Sequence, residues 1–275
     1  MEHEPNKKPA IDPARIQALF DQNREIVESF VRGAREAISQ LSQTGKEIKA
    51  ALKVILPPIA DLVNGLNGFP AEYREAMLVI ANKGWYLDPD MAFDEPLQLA
   101  AAYSDGRADE ADKELVEHFR ARLHTIEADL VSKFPKREAI LRQAFQAHRM
   151  ELYYASIPTF LTLVDGVCLD ITKTGYLFKK ERGEKRTGVA PYVDGIADSP
   201  MTEAMLAPFL EAHAILFNEK QRAPEFASLN RHMVLHGESL DHGTEANSLR
   251  TISLLYYAAR ALKEFSDVKP DTPNE

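Results

Sequence analysis

The N-terminal part of the chain repeats apolar and small residues at seven-residue intervals. Within residues 13–56, one such series runs through Phe20, Val27, Ala34, Leu41, Ile48 and Ile55. This pattern predicts a long amphipathic helix with a narrow seam. Asp12 and Pro13 favour a helix start, and Pro57 with Pro58 favours its end. Because the seam is rich in alanine and polar residues, we expect it to pack against the same chain or a second copy rather than form an independent coiled coil.

Further along the chain, apolar residues recur at helical rather than alternating spacing. A linker is expected over residues 64–70, a turn with clamped aromatic residues over 85–91, and an exposed loop over 179–200. The spacing predicts helices over residues 71–83, 96–103, 109–134, 202–218, 224–236 and 244–265, and either a helical pair over 136–150 and 151–174 or one bent helix there. No convincing series of alternating strands is present, so the predicted fold class is all-α.

These patterns divide the chain into four predicted parts. The long amphipathic helix occupies residues 1–63, and a helical middle region follows over residues 64–135. A composition change at Pro135 marks the start of an antiparallel helix bundle over residues 136–268. We expect the tail, residues 269–275, to be disordered.

Composition narrows the classes of function. The chain has 275 residues and a formal net charge of −9, so it has no overall basic field for nucleic acid. A polyanion would need a local basic patch, such as residues 179–186. One cysteine, Cys168, fits a reducing compartment. The start of the chain lacks the apolar core of a secretory signal, and no run reaches the ~18 apolar residues of a membrane span. We therefore expect a cytoplasmic protein with no membrane association.

The stretch with the most chemical character is residues 229–237, Leu-Asn-Arg-His-Met-Val-Leu-His-Gly. A guanidinium can hold phosphate oxygens, and a histidine can move a proton near neutral pH. On a straight helix Arg231 and His236 lie about 140° apart. They could serve one phosphate only if the groove lies between their faces, or if a second chain completes the site. That geometry favours a homodimer.

The spacing of Arg231, His232 and His236 resembles the motif of HEPN-like domains, the higher eukaryote and prokaryote nucleotide-binding helical bundles. The segments around it also look like a recurrent C-terminal segment of bacterial proteins. The resemblance covers roughly residues 140–265 and rests on a short motif. It implies a four- or five-helix bundle that often dimerises through the motif helices. Many such proteins are metal-independent endoribonucleases of defence or toxin–antitoxin systems, and others have lost activity.

The resemblance also implies roles for individual residues. His236 would act as general acid or base, Arg231 would stabilise charge on the phosphoryl oxygens, and His232 or Asn230 would position the reacting groups. Single-stranded RNA is the expected substrate, because the reaction uses the 2′-hydroxyl as nucleophile. No cofactor is expected, and a cognate antitoxin or regulator would be a partner. Independently of the resemblance, Gly166 inside a helical pattern indicates close helix packing, and Asp165 beside it would be an auxiliary acid if it faces the same groove.

Two other functions stay open from the sequence. In the first, the chain is a non-catalytic helical interaction or assembly module, with Arg231 a surface cation and His236 a helix-terminal residue. In the second, it is a metal-binding hydrolase. His232 and His236 are four residues apart on one helical face, and Asp241 with His242 follows on the turn. That spacing could hold zinc or another transition metal.

Overall fold

Helices make up the regular secondary structure of the described chain, apart from one isolated β-bridge between Arg186 and Glu211. The computed structural model describes residues 68–179 and 186–267, together with Arg32. The helices are α1 (68–82), α2 (Glu95–Ser104), α3 (Ala108–Lys133), α4 (Glu138–Arg149), α5 (Tyr153–Thr172), α6 (Ala190–Ile196), α7 (Pro200–Met205), α8 (Ala207–Leu210), α9 (Arg231–Leu235) and α10 (Glu245–Asp267). Short 3₁₀ turns cover Pro135–Arg137, Ala214–Leu216 and Glu219–Gln221. The all-α class is confirmed for these ranges.

Helix α5 lies at the centre of the helical packing. It contacts α10 most extensively, and it also packs against α4. Phe160 of α5 meets Phe145 of α4 edge-to-face, with 5.0 Å between ring centroids. By length and apolar composition α5 is one helix that could cross a membrane, but half of that stretch is buried inside the protein. A helix that is apolar on several faces is expected to be covered by other helices, as α5 is here.

One hydrophobic core joins the predicted middle region to the predicted bundle. Trp85 is fully buried and stacks on Phe119 of α3, with 5.7 Å between ring centroids. Helix α3 also packs against α10, whose Leu255 and Leu262 belong to the same core cluster as Phe119. The boundary that we predicted between residues 135 and 136 therefore runs through a shared core.

A small polar cluster lies inside that core. Nδ1 of His148 lies 2.8 Å from Oγ of Ser248, which lies 2.9 Å from Oγ of Ser156. All three residues are buried. A buried imidazole and two hydroxyls satisfy one another here, as buried polar groups must. The cluster ties α4, α5 and α10 together at one level of the bundle.

The long helices follow the sequence pattern closely. Predicted helices 96–103, 109–134 and 244–265 correspond to α2, α3 and α10, with ends that agree to within about two residues. The helices predicted over 136–150 and 151–174 are a pair separated by a turn. The predicted N-terminal helix and the tail lie outside the described residues, except for Arg32, which has helical conformation.

Four predictions about short segments were wrong. Residues 68–70, assigned to a linker, are helical, and residues 190–196, assigned to a loop, form α6. The helix predicted over 202–218 is divided into α7, α8 and a 3₁₀ turn. Pro208 has no N–H, so a continuous helix through it would lose a hydrogen bond and crowd the preceding turn. The helix predicted over 224–236 shortens to α9, and the residues before it form turns and extended chain.

Candidate functional site

Asn230 starts helix α9 and fixes it to the segment before it. Its side-chain oxygen accepts a hydrogen bond from the backbone N–H of Met233 at 3.1 Å, which is an N-cap. Its amide nitrogen donates to the backbone oxygens of Ala214 and Phe217, at 2.7 and 2.9 Å. The residue is buried. With its amide engaged in three hydrogen bonds, Asn230 holds the motif in place and has no free polar atom for a substrate.

Arg231, the first residue of α9, faces the body of the protein. Its guanidinium carbon lies 5.3 Å from the centre of the Phe178 ring, a cation–π geometry. Its Nε atom is buried and has no hydrogen-bond partner among the described residues. Asp165 of α5 lies within electrostatic range of Arg231 and accepts a hydrogen bond from the backbone N–H of Phe178 at 2.9 Å.

Burial has the largest effect on Asp165. It raises the pKa of that carboxyl above the ordinary value, while the Phe178 N–H and the Arg231 guanidinium oppose the rise. Asp165 is therefore close enough to Arg231 to interact with it electrostatically. The auxiliary-acid role itself stays a prediction.

The two histidines of the motif lie together on the outer side of α9. The ring centroids of His232 and His236 are 4.2 Å apart, with an angle of 46° between the rings. His236 ends the helix as its C-cap and is exposed. Because they are four residues apart, both rings lie on one side of the helix.

The carboxylate of Glu238 contacts one histidine of the pair, His232. Oε1 of Glu238 lies 3.1 Å from Nδ1 of His232, and Oε2 lies 2.7 Å from Nη1 of Arg222. The pKa of Glu238 lies below its ordinary value, first because Arg222 donates to it and also because His232 does. An ionised carboxylate only accepts hydrogen bonds, so Nδ1 of His232 carries the proton.

The hairpin after α9 rests on the start of α5. Gly237 has φ +74°, the left-handed conformation that ends many helices. The hydroxyl of Tyr154 donates to the backbone oxygen of Leu240 at 2.9 Å, and its ring meets His242 edge-on at 4.9 Å. A Cβ added to Gly243 would lie 2.3 Å from the Tyr154 ring, so this contact requires glycine.

The structure brings some predicted site residues together and keeps others apart. His232 and His236 are in contact, while Arg231 packs on Phe178 on the other side of the same short helix. Among the described residues, no hydrogen bond or ring contact joins Arg231 to His236. One chain alone therefore does not place the guanidinium beside the exposed imidazole.

The metal-binding alternative has no support in the part of the chain that the structure describes. No group of three His, Cys, Asp or Glu side chains there is arranged to hold an ion. Nδ1 of His242 lies 2.9 Å from the backbone oxygen of Ser239. That hydrogen bond and the Tyr154 contact hold His242 within the hairpin.

The basic loop is described only at its edges. Lys179 is exposed, and residues 180–185 lie outside the described ranges. Arg186 forms a two-pronged ion pair with Asp194 of α6, at 2.6 and 2.9 Å. Its guanidinium is therefore already engaged with a carboxylate.

Two residues of the site were not found from the sequence, Glu238 and Arg222. Glu238 follows Gly237 directly, and a carboxylate two residues after His236 is a sequence signal for a hydrogen-bond partner of the histidines. Arg222 lies 16 residues from Glu238 in an irregular segment, and no periodicity links the two. No protein-family model matches this chain, and no curated protein and no solved structure matches it either.

Proposed function

We propose that this chain is an RNA-cleaving or RNA-binding effector of the HEPN-like type, acting on single-stranded RNA without a metal ion. The observation that carries the proposal is the pair of adjacent imidazoles, half-buried His232 and exposed His236, beside the carboxylate of Glu238. Cleavage of RNA by its own 2′-hydroxyl needs one group that accepts a proton and one that donates a proton.

The proposed reaction is a transesterification. The ribose 2′-oxygen forms a bond to phosphorus, and the bond from phosphorus to the 5′-oxygen breaks, leaving a 2′,3′-cyclic phosphate and a 5′-hydroxyl. Because Glu238 holds the proton on Nδ1 of His232, the free Nε2 is the nitrogen that accepts the 2′-hydroxyl proton. His236 then donates a proton to the 5′-oxygen, and water carries a proton away from His232 and returns one to His236 before the next turnover.

In this proposal, Arg231 of one chain acts on the phosphate bound beside His236 of a second chain. Its guanidinium lies on the inner side of α9, so a phosphate beside His236 would need the guanidinium of a partner, or a rearranged Arg231. An apolar surface beside the hairpin supports a homodimer. Leu240 is 83% exposed and Tyr154 is 57% exposed, and Leu235 is exposed as well. A two-fold dimer through this surface would bring two motif hairpins together.

The decisive experiment combines cleavage with subunit mixing. Labelled single-stranded RNA is incubated in EDTA with wild type, Arg231→Ala and His236→Ala, and His124→Ala and Arg142→Ala serve as controls from exposed helix positions. We expect cleavage by wild type and the controls, with cyclic-phosphate ends, and none by the two motif variants. A matched DNA strand should remain intact because it lacks the nucleophile.

Mixing the two inactive variants tests the shared site. If Arg231 and His236 act across the dimer, an equal mixture should recover about a quarter of wild-type activity, because half the dimers are mixed and each has one intact site. Cleavage that persists in both motif variants would overturn the proposal. Activity in both variants that is lost in EDTA would point to a metal-dependent reaction instead.

A non-catalytic assembly module is the second candidate, and one observation favours it. Arg231 packs against Phe178 and lies near Asp165, which is a structural use of the guanidinium. A stable dimer by light scattering, with no RNA cleavage and no RNA binding, would select this function. A defence or toxin–antitoxin role and a cognate antitoxin belong to the nuclease proposal alone, and we propose a cytoplasmic location for either function.

A further inference from the structure

A cavity of about 450 Å³ opens at the end of the bundle away from the start of α5. It lies where the C-terminal ends of α3 and α5 meet α6, α10 and the 3₁₀ turn Pro135–Arg137. Its walls include four lysines and two aromatic residues: Lys133, Lys136, Lys173, Lys263, Phe134 and Tyr192. The volume lies within the range of about 300–1,000 Å³ that is usual for small-molecule sites.

Positive charge exceeds negative charge around this cavity. The acidic wall residue Asp170 is already paired with Arg137, whose Nε donates to it at 2.7 Å. Nζ of Lys173 donates to the backbone oxygen of Asp170 rather than to its carboxylate. Among the described residues, Lys136 and Lys263 form no ion pair. In a chain with a net charge of −9, this is a local reversal of sign.

These cations interact electrostatically with Asp170, the carboxylate in the cavity wall. Arg137 lowers the pKa of Asp170 below its ordinary value, and Lys173 and Lys136 lower it further. An anion entering the cavity would experience the same attraction, with the difference that Lys136 and Lys263 are free to contact it.

The favourable interaction of a cation with a helix C-terminus explains only two of the four lysines in the cavity wall. Lys133 lies in the last turn of α3 and pairs with Asp129 at 2.7 Å, and Lys173 caps α5, so both stabilise helix C-termini. Lys136 lies in the 3₁₀ turn after α3, and Lys263 lies more than a turn before the end of α10. Neither position is required by a helix end, and both line the cavity.

We propose that this cavity binds a small phosphate-bearing molecule with an aromatic or apolar body. Lysines act as mobile point charges for phosphate oxygens, which suits a group of several lysines around one opening. Tyr192 is half-buried in the wall, and Phe134 and Ile171 complete an apolar side. This site is separate from the histidine hairpin, so the inference does not depend on the proposed function.

Calorimetric titration of the full chain at low salt tests the proposal, with ADP, inorganic pyrophosphate and adenosine as probes. The double variant Lys136→Ala/Lys263→Ala is compared with Lys113→Ala/Lys220→Ala, which removes two exposed lysines elsewhere. We expect saturable ADP binding that weakens at least about tenfold in the cavity variant and stays within about twofold in the control. Affinity should also fall as salt rises.

The probes separate charge from ring recognition. Tyr192→Ala should weaken ADP while leaving pyrophosphate unchanged, provided that thermal melting shows a folded protein. Equal affinity for pyrophosphate and ADP in wild type would contradict the role of the apolar wall. No saturable binding of either phosphate, or equal loss in both double-lysine variants, would overturn the proposal.

Discussion

Nδ1 of His148 lies 2.8 Å from Oγ of Ser248, and both residues are buried although they are 100 positions apart in the chain. The imidazole is therefore enclosed between three helices, with Ser156 completing the hydrogen-bonded cluster. Burial lowers the pKa of His148, which outweighs the opposing attraction of Glu245. This residue couples the stability of the bundle to pH.

The direction of the coupling follows from the shift. The unfolded chain binds a proton near the ordinary histidine pKa of about 6.5, while folded His148 resists protonation until a lower pH. The contribution of His148 to stability is thus fully present above pH ~6.5 and declines as pH falls below it. We expect the urea midpoint to fall between pH 8 and 5, less steeply in His148→Gln. His124→Gln, an exposed control, should keep the wild-type profile, and an unchanged slope in His148→Gln would contradict this assignment.

Asn230 should be a stability residue rather than a catalytic one. Asn230→Ala removes the cap and the two amide hydrogen bonds, so we expect it to cost about 2–4 kcal/mol in free energy of unfolding. Asn230→Ser keeps an acceptor for the cap and should cost about half as much. Urea denaturation measures both. A cost below about 0.5 kcal/mol for Asn230→Ala would show that the hydrogen bonds do not hold the segment.

The carboxylate of Asp112 joins helices α2 and α10 and the irregular segment after α1. It accepts hydrogen bonds from Trp85, Tyr103 and Arg250, each at 2.7 or 2.8 Å. Asp112→Ala leaves the indole N–H and the phenol unpaired, so we expect a loss of about 2–4 kcal/mol. Trp85 is the single tryptophan, and its fluorescence reports the change directly. The control Asp109→Ala, at an exposed position, should leave stability within about 0.5 kcal/mol.

Two glycines should respond in opposite directions to the same substitution. A Cβ on Gly188 would lie 2.4 Å from the backbone oxygen of Tyr176 and 2.5 Å from that of Lys179. Gly188→Ala must therefore displace backbone, and we expect a loss of about 1–3 kcal/mol. Gly195 lies within α6 with open space at its Cβ position. Gly195→Ala should stabilise the chain by about 0.5–1 kcal/mol, and thermal melting compares the two.

Glu238 should affect cleavage without affecting the fold. Glu238→Gln weakens the orientation of His232, so under the proposed reaction we expect a loss of about tenfold or more in the rate of RNA cleavage. Glu203→Gln, at an exposed position in α7, is the matched control. Both variants should stay folded in thermal melting, with a lower melting temperature for Glu238→Gln because the carboxylate pairs with the largely buried Arg222. Unchanged cleavage by Glu238→Gln, in a protein that cleaves RNA, would remove Glu238 from the site.

The long helices could be predicted because their apolar stripes persist over several turns. Residues 109–134 and 244–265 repeat the apolar stripe over so many turns that no single residue interrupts the helix. They correspond to α3 and α10. The bounds of short helices depend instead on individual capping residues and prolines. Asn230, held by the carbonyls of Ala214 and Phe217, starts α9 later than Pro224 would. Those contacts belong to the tertiary structure.

The spacing of the site residues predicts the angle between them around a helix, but it does not predict how that helix is oriented in the fold. The spacing of Arg231 and His236 fixes their separation around a helix, but it does not say which of them faces the core. Phe178 and Asp165 decide that, and both come from distant parts of the chain. The pairing of Glu238 with Arg222 likewise depends on how an irregular segment folds back.

The core shared by α3 and α10 determines which piece of this chain can be moved to another protein. A fragment cut at residue 136 would leave the inner faces of α4 and α10 without the side chains of Leu115, Phe119 and Ile126, which are buried in the described chain. Apolar surface of that kind promotes aggregation. The smallest transferable unit therefore includes Tyr73 and Trp85 at its beginning, and the hairpin cannot be inherited apart from the helices that precede it.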